Sequence, residues 1–216
     1  MKIGIVGSGM VGQKIGAALA ARGHRVKIGT RSPEKGSLKE WARKTGENAS
    51  VGTLAEAAGF GEILFLCTKG DATLQALELA GPGNFEGKAV VDVTNPLDFS
   101  KGMPPSLIKE FTNTNSLGEE VQRALPGARV VKSLNTVNCE VMVNPALSGG
   151  EPTMFVCGND TEAKKSVKGI LESFGWRDII DLGDLTAARG LEMILPIWLR
   201  LWTATKNQNV AFRIVR

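Results

Sequence analysis

Tyrosine is absent from this 216-residue chain, histidine occurs once and cysteine three times. Enzymes that oxidise alcohols or hydroxy acids need a group to move the hydroxyl proton, commonly His, Lys or Tyr. His24 follows Gly23 in a turn between the first helix and the second strand, away from the glycine-rich end of the sheet. It is poorly placed for catalysis, so only lysines remain. Lys69 and Lys132 are the candidate bases, and Lys132 alternates with Val131 in a way that fits a solvent-facing side chain.

Cys67, Cys139 and Cys157 are far apart, form no C-x-x-C and have no histidine cluster beside them. That argues against a disulfide framework or a zinc site and fits a reducing, cytoplasmic compartment. Cys67 and Cys157 fall in buried strand patterns. Cys139, after Asn138, is expected in an accessible loop and is a redox candidate. No apolar run reaches membrane-spanning length, and the chain enters a strand at residue 2, so no signal peptide is expected before the fold. The net charge of +4 suits a site for an anionic cofactor. No basic helix carries interleaved aromatics, which leaves no case for nucleic acid.

What the chain does have is glycine in one telling place. Ile3, Ile5 and Val6 lead into Gly7-Ser8-Gly9-Met10-Val11-Gly12, and Gln13 to Arg22 reads as a helix. A strand–Gly-x-Gly-x-x-Gly–helix unit followed by a second strand (25–29) is a dinucleotide-binding fingerprint. Gly7 permits the tight turn, Gly9 clears the way for a pyrophosphate, and Gly12 lets the helix approach the sheet. Backbone amides at the helix start would hold the phosphates.

The end of the second strand selects the dinucleotide. An NAD site usually places Asp or Glu there for the ribose hydroxyls. This chain has Thr30-Arg31-Ser32 with Lys35 beyond, so a guanidinium and hydroxyls await a 2′-phosphate. The expected cofactor is NADP(H). Ser32-Pro33-Glu34 also reads as a helix cap with proline at the first helical position, opening a polar helix over 33–44.

Strands are expected near 48–51, 62–68, 88–94, 129–134, 153–157 and 178–182, with helices between them. Thr53 opens a capping box with Glu56, and Asp71 is expected to cap the next helix. The segment 97–115 lacks periodicity and reads as a functional or mobile loop. A last helix from Leu185 onward is apolar all round, should bury against the sheet or a second subunit, and should kink at Pro196. The fold class is therefore α/β: a doubly wound, parallel Rossmann-like sheet. Residues 1–150 would form its dinucleotide-binding core, and 151–216 would extend the sheet and add the apolar helix within one compact unit.

In such a sheet, ligands bind beyond the C-terminal strand ends. Those ends supply Gly7 to Gly12, Thr30 to Ser32, Cys67-Thr68-Lys69, Asn95-Pro96 and Asn135-Thr136. Cys67, Thr68 and Lys69 would approach the ribose and pyrophosphate. Asn95, Pro96, Asn135 and Thr136 would lie near the nicotinamide, with Asn95, Asn135 and Thr136 as the catalytic set. A site of amides, hydroxyls and backbone suits hydride transfer between two bound redox molecules, where the protein supplies position.

In order along the chain, these motifs resemble the NADPH-dependent deazaflavin (coenzyme F-420) oxidoreductase family over nearly the whole length. They are Gly7 to Gly12, Gly29-Thr30-Arg31-Ser32-Pro33, Val91-Asp92-Val93-Thr94-Asn95-Pro96, the run from Leu125 to Thr136, Phe155 to Asp160, and Leu182 to Leu185. A flavin-using relative is the reductase domain of the STEAP metalloreductases. The resemblance implies a homodimer that moves a hydride between NADP(H) and a deazaflavin, with FMN or FAD as other acceptors. By position, it implies that Ser8 and the glycines hold phosphate, Thr30, Arg31 and Ser32 hold the 2′-phosphate, and Asn95, Asn135 and Thr136 border the transfer pocket. Two departures stand near the acceptor: Lys69 replaces a common proline, and 97–115 is longer than the usual connection. The alternatives are a reductase of a small metabolite using Lys69 or Lys132, and a non-catalytic NADPH-binding sensor.

Overall fold

The run Ile63-Leu64-Phe65-Leu66 is apolar at every position, which only a strand covered on both faces can bury. The computed structural model, which describes residues 1–216, makes it strand β4 (Ile63–Leu66). Ile63 and Phe65 enter one core and Leu64 and Leu66 the opposite one. Successive side chains alternate across the sheet as the pleat requires.

Before β4 come β1 (Lys2–Val6), α1 (Met10–Ala20), β2 (Arg25–Thr30), α2 (Gly36–Thr45), β3 (Ala49–Thr53) and α3 (Leu54–Phe60). After it come α4 (Thr73–Ala80), β5 (Ala89–Asp92), the two-residue strands β6 (Leu97–Asp98) and β7 (Ser106–Leu107), α5 (Leu117–Ala124) and β8 (Arg129–Ser133). The chain ends with α6 (Cys139–Val143), β9 (Thr153–Gly158), α7 (Thr161–Phe174), β10 (Asp178–Asp181), α8 (Ala188–Met193) and α9 (Leu195–Thr205). The main sheet runs β10-β9-β8-β5-β4-β1-β2-β3, with the strand order reversing between β1 and β4. No helix is long and apolar enough to cross a membrane.

The α/β Rossmann-like class holds, with one difference in the sheet. It is parallel except at β8, against which β9 runs antiparallel while β10 follows β9 in parallel. The connecting helix α6 has five residues, a length of about 7.5 Å. It does not carry the chain back along β8, so β9 sets out from the end where β8 stops.

The expected capping box is present, and local chemistry also fixes the ends of α7. Thr53 Oγ1 accepts from the Glu56 amide (3.1 Å) while Glu56 accepts from the Thr53 amide (2.7 Å), closing the capping box. Asp160 caps α7 through the Ala163 amide, and Gly175 ends that helix in the left-handed region at φ 105°.

Other expectations are corrected. α2 starts at Gly36, not Pro33: Ser32 to Lys35 form a turn closed by the Lys35 amide on the Ser32 carbonyl (3.2 Å), and no side chain caps the helix. Asp71 is exposed in a 3-10 turn and caps nothing; α4 begins at Thr73, whose hydroxyl donates to the Lys69 carbonyl. The segment 97–115 is no bare loop, since β6 and β7 pair antiparallel and the Ile108 amide donates to the Pro96 carbonyl (2.8 Å). The expected last helix is two, broken at Ile194, with Pro196 in the first turn of α9, where its missing amide costs nothing. Cys139 opens α6 and is buried, not accessible.

Candidate functional site

The C-terminal ends of β1, β2 and β4 enclose a cavity of about 370 Å³ lined by sixteen residues. Gly7, Ser8, Gly9, Thr30, Arg31, Ser32, Lys35, Cys67, Thr68 and Lys69 all line it. Ten of the residues read from the sequence as cofactor ligands therefore share one wall-to-wall space. Met10, Val11 and Gly12 stand at the start of α1 instead, and Asn95, Pro96, Asn135 and Thr136 lie outside this cavity at the ends of β5 and β8.

The glycines divide the work of the turn. Gly7 has φ 118°, a conformation side chains disfavour, and its Cα faces the Cys67 carbonyl. A Cβ on Gly12 would overlap the Gly7 carbonyl oxygen, so α1 packs directly on the loop. Gly9 meets nothing within 4 Å; the space a side chain would fill opens beside an uncapped helix start. Open space and free amides at one helix N-terminus fit a pyrophosphate.

Ser8 does more than offer a donor. Its hydroxyl donates to Thr30 Oγ1 (3.1 Å), which also accepts from the Ser32 amide (3.3 Å). The glycine loop and the β2 turn are thus stitched together. Arg31, Lys35 and Lys69 are exposed at the rim and belong to no ion pair, and none of the sixteen lining residues is acidic. Three free cations fit an extra phosphate, and no carboxylate is there to accept from a ribose 2′-hydroxyl.

Gly29, Leu54, Ala72, Gln75, Ala76 and Leu79 complete the lining, and the last five were not singled out by the sequence. The signal was a helical face: residues 72, 75, 76 and 79 share one side of the α4 segment, and Leu79 is an exposed large apolar residue.

On the far side of the switch point, Asn95 and Asn135 hold one another. Asn95 Nδ2 donates to the Asn135 carbonyl (2.9 Å), and Asn135 Nδ2 donates to Asn95 Oδ1 (2.9 Å) and the Leu191 carbonyl (2.7 Å). Thr136 is buried beside them. Asn135 Oδ1 is buried without a partner.

Lys132 overturns its sequence reading. It lies fully buried in interior strand β8, on the face covered by α5 and α8, so no solvent is available to it. Its ammonium donates to Asp92 Oδ2 (3.0 Å), the Thr94 carbonyl (2.7 Å) and sits 2.7 Å from Glu192 Oε1. Burial favours the neutral amine, but Asp92 and Glu192 outweigh it and hold Lys132 above its usual range. Burial pushes Glu192 above the usual carboxylate range, against the pull of Lys132. Its carboxylate also accepts from the Leu117 and Gly118 amides at the start of α5 (2.8 and 2.9 Å). With all three protons committed, Lys132 has none for a substrate.

The thiols are equally unsuited to chemistry. Burial pushes Cys157 up to about 12 and raises Cys67 and Cys139 as well, so all stay protonated.

Fold and site together define a dinucleotide-binding protein of the Rossmann class whose cavity is cationic at the β2 end. A family model described as NADP oxidoreductase coenzyme F420-dependent matches residues 2–96. The F420-dependent NADP reductase of Methanocaldococcus jannaschii is 30% identical over 222 residues, covering 99% of this chain and 98% of that one. The crystal structure of a putative F420-dependent NADP reductase from Arthrobacter sp. FB24 superposes with TM-score 0.94 at 45% identity, covering 100% of both chains. Rat metalloreductase STEAP3 is 27% identical over 201 residues, which is 91% of this chain and 38% of that protein. The chain belongs to the coenzyme F420-dependent NADP oxidoreductase family and is an NADP-dependent oxidoreductase.

Proposed function

We propose that this enzyme transfers a hydride between NADP(H) and a deazaflavin or flavin, bound beyond β5 and β8. The observation that carries the reading is the Asn95–Asn135 pair: beside the buried Thr136, the two amides are locked to each other, and Lys132, three residues before Asn135, is sealed in the core. Nothing at that end moves a substrate proton, so the protein's contribution is position and exclusion of water. A deazaflavin acceptor is supported by the relatives, since two of those above carry F420-dependent reductase in their names.

In this reading the α1 amides and Gly9 seat the pyrophosphate, while Arg31, Lys35 and Ser32 hold the 2′-phosphate. Thr68 and Lys69 face the same phosphates from the β4 side. NADPH supplies the hydride, and the ring accepting it manages its own charge. Exposed Met193, Ile197 and Leu201 leave an apolar strip on α8 and α9 that supports a homodimer.

The test is a titration with NADPH and NADH, wild type against Arg31→Ala, followed by mixing with the deazaflavin coenzyme, FMN and FAD. The reading expects NADPH to bind at least about tenfold tighter than NADH, roughly 1.4 kcal/mol, and expects Arg31→Ala to erase the preference. Oxidation of NADPH by one acceptor alone names the reaction. Binding without turnover by any of the three turns the assignment toward a small-metabolite reductase or a sensor.

A further inference from the structure

Asn135 Nδ2 carries two hydrogens, and both are committed, to Asn95 Oδ1 and to the Leu191 carbonyl. Rotating the amide by half a turn would set Oδ1 against those same two acceptors, so the partners fix its orientation. The atom left over is Oδ1, on a side chain that is 2% exposed, and no group of the protein donates to it. Buried acceptors are nearly always matched, so this one calls for a donor from outside the chain.

The two groups that hold Nδ2 share an anchor. Asn95 follows Thr94, whose carbonyl accepts from Lys132 Nζ (2.7 Å). Leu191 precedes Glu192, whose Oε1 lies 2.7 Å from the same Nζ. Asp92 takes the third proton at 3.0 Å and braces Thr94 by accepting from its amide (2.9 Å) and hydroxyl (2.7 Å). A closed ring results, running Asn135, Asn95, Thr94, Lys132, Glu192, Leu191 and back to Asn135. The one buried side-chain polar atom of the ring without a partner is Asn135 Oδ1.

We propose that this ring makes Asn135 an acceptor-only contact for an N–H group of the bound redox pair, with Lys132 as the positioning residue that keeps Oδ1 in place. The inference rests on the hydride-transfer reading above, which sets the nicotinamide and its acceptor over β5 and β8. Such an N–H comes from the nicotinamide carboxamide or from the ring N–H of the reduced acceptor.

The experiment is calorimetric titration of the full-length protein with NADP+ and with its 3-acetylpyridine analogue, where a methyl ketone replaces the carboxamide. Wild type is expected to bind NADP+ at least tenfold tighter, about 1.4 kcal/mol. Asn135→Leu should bring that ratio to about one while the NADPH-to-NADH ratio, set at Arg31, stays. Lys132→Met should collapse the ratio too. A lysine that only stabilised the fold would lower the melting temperature and leave the ratio intact, overturning its positioning role. Should Lys132→Met not fold, Asn95→Ala opens the same ring from a less buried residue. If wild type does not distinguish the analogue, but Asn135→Leu weakens binding of reduced FMN or of the reduced deazaflavin about tenfold, the donor is the reduced acceptor's ring N–H. If neither ligand responds to Asn135→Leu, the orphan oxygen is served by water and the inference falls. Failure of wild type to bind NADP+ at all overturns the hydride-transfer reading itself, a result separate from a missing discrimination.

Discussion

A Cβ on Gly12 would overlap the carbonyl oxygen of Gly7, whereas one on Gly9 would meet no protein atom within 4 Å. Gly9 also has φ −70° and ψ −177°, which any residue adopts. The protein therefore needs Gly12 to fold and Gly9 for something else. Gly9→Ala should keep or raise stability by up to about 1 kcal/mol through the unfolded chain, yet weaken NADPH at least about tenfold, roughly 1.4 kcal/mol. Gly12→Ala should destabilise by about 1–3 kcal/mol through overpacking. Thermal melts and a cofactor titration check both. Wild-type affinity in Gly9→Ala would mean the pyrophosphate does not cross this loop.

Lys69 separates the proposed chemistry from its main competitor. It is exposed at the cavity rim, beside Thr68 and opposite Arg31, with no carboxylate partner. As a phosphate contact, its loss should raise the NADPH dissociation constant several-fold, on the order of 1 kcal/mol, while the rate at saturation holds. A collapse of kcat with unchanged cofactor affinity would make Lys69 a proton donor and the enzyme a small-metabolite reductase.

The buried triad makes a stability prediction of its own. Lys132→Met leaves Asp92 and Glu192 dry and uncompensated, a loss of about 3–5 kcal/mol. The pH dependence has a definite sign. A carboxyl whose folded pKa is raised, as burial raises Glu192, contributes stability below its unfolded pKa and loses it as pH rises through the folded one. Removing the lysine deepens that penalty, so Lys132→Met should lose more relative to wild type at pH 8 than at pH 5. Denaturant melts at the two pH values decide it, and an equal loss at both would show that the carboxyls are not the cost.

How the sequence and structure relate is clearest at this triad. The fingerprint and the strand β4 were legible because each is written in consecutive residues: three glycines and an unbroken apolar run. Nine of the ten cavity residues followed from strand ends, and Lys35 from the turn beyond β2. Lys132 did not, because period-two alternation reports which side chains share a face, and only the third dimension says whether that face is covered. Its partners sit 40 residues before it and 60 after. A trace was present, since Asp92 and Lys132 are lone charges ending apolar runs and pair in register on neighbouring strands. The short reach of α6 and the hairpin inside 97–115 left no periodic mark, so the antiparallel β9 and the folding of that segment were not legible.

Exposed Ile197 and Leu201 lie four apart on α9, on one face of the helix, while Leu195, Trp198 and Leu199 are buried on another. If that strip is a homodimer contact, Ile197→Glu should halve the mass seen by analytical ultracentrifugation with the melting curve of the protomer retained. A wild-type protein already of protomer mass at micromolar concentration would remove the dimer from the proposal.

Glu119 and Arg189 tie α5 to the segment that carries Glu192. Arg189 Nε lies 2.9 Å from one carboxylate oxygen and its terminal nitrogen 2.6 Å from the other, a two-pronged pair whose carboxylate is mostly buried. The Arg189 hydrogen bonds, more than the Ser116 hydroxyl, hold Glu119 below its ordinary value of 4.5, against the opposing effect of burial. A lowered folded pKa contributes stability above the unfolded value and loses it as pH falls through the folded one. The melting temperature of Arg189→Met should therefore trail wild type by a constant gap from pH 6 to 8. The gap, worth about 1 kcal/mol for an ion pair of this exposure, should close below about pH 4.5. High salt should narrow it only partly, since the carboxylate is shielded from ions. A gap that persists unchanged at pH 3 would assign the arginine's contribution to its packed methylenes and not to its charge.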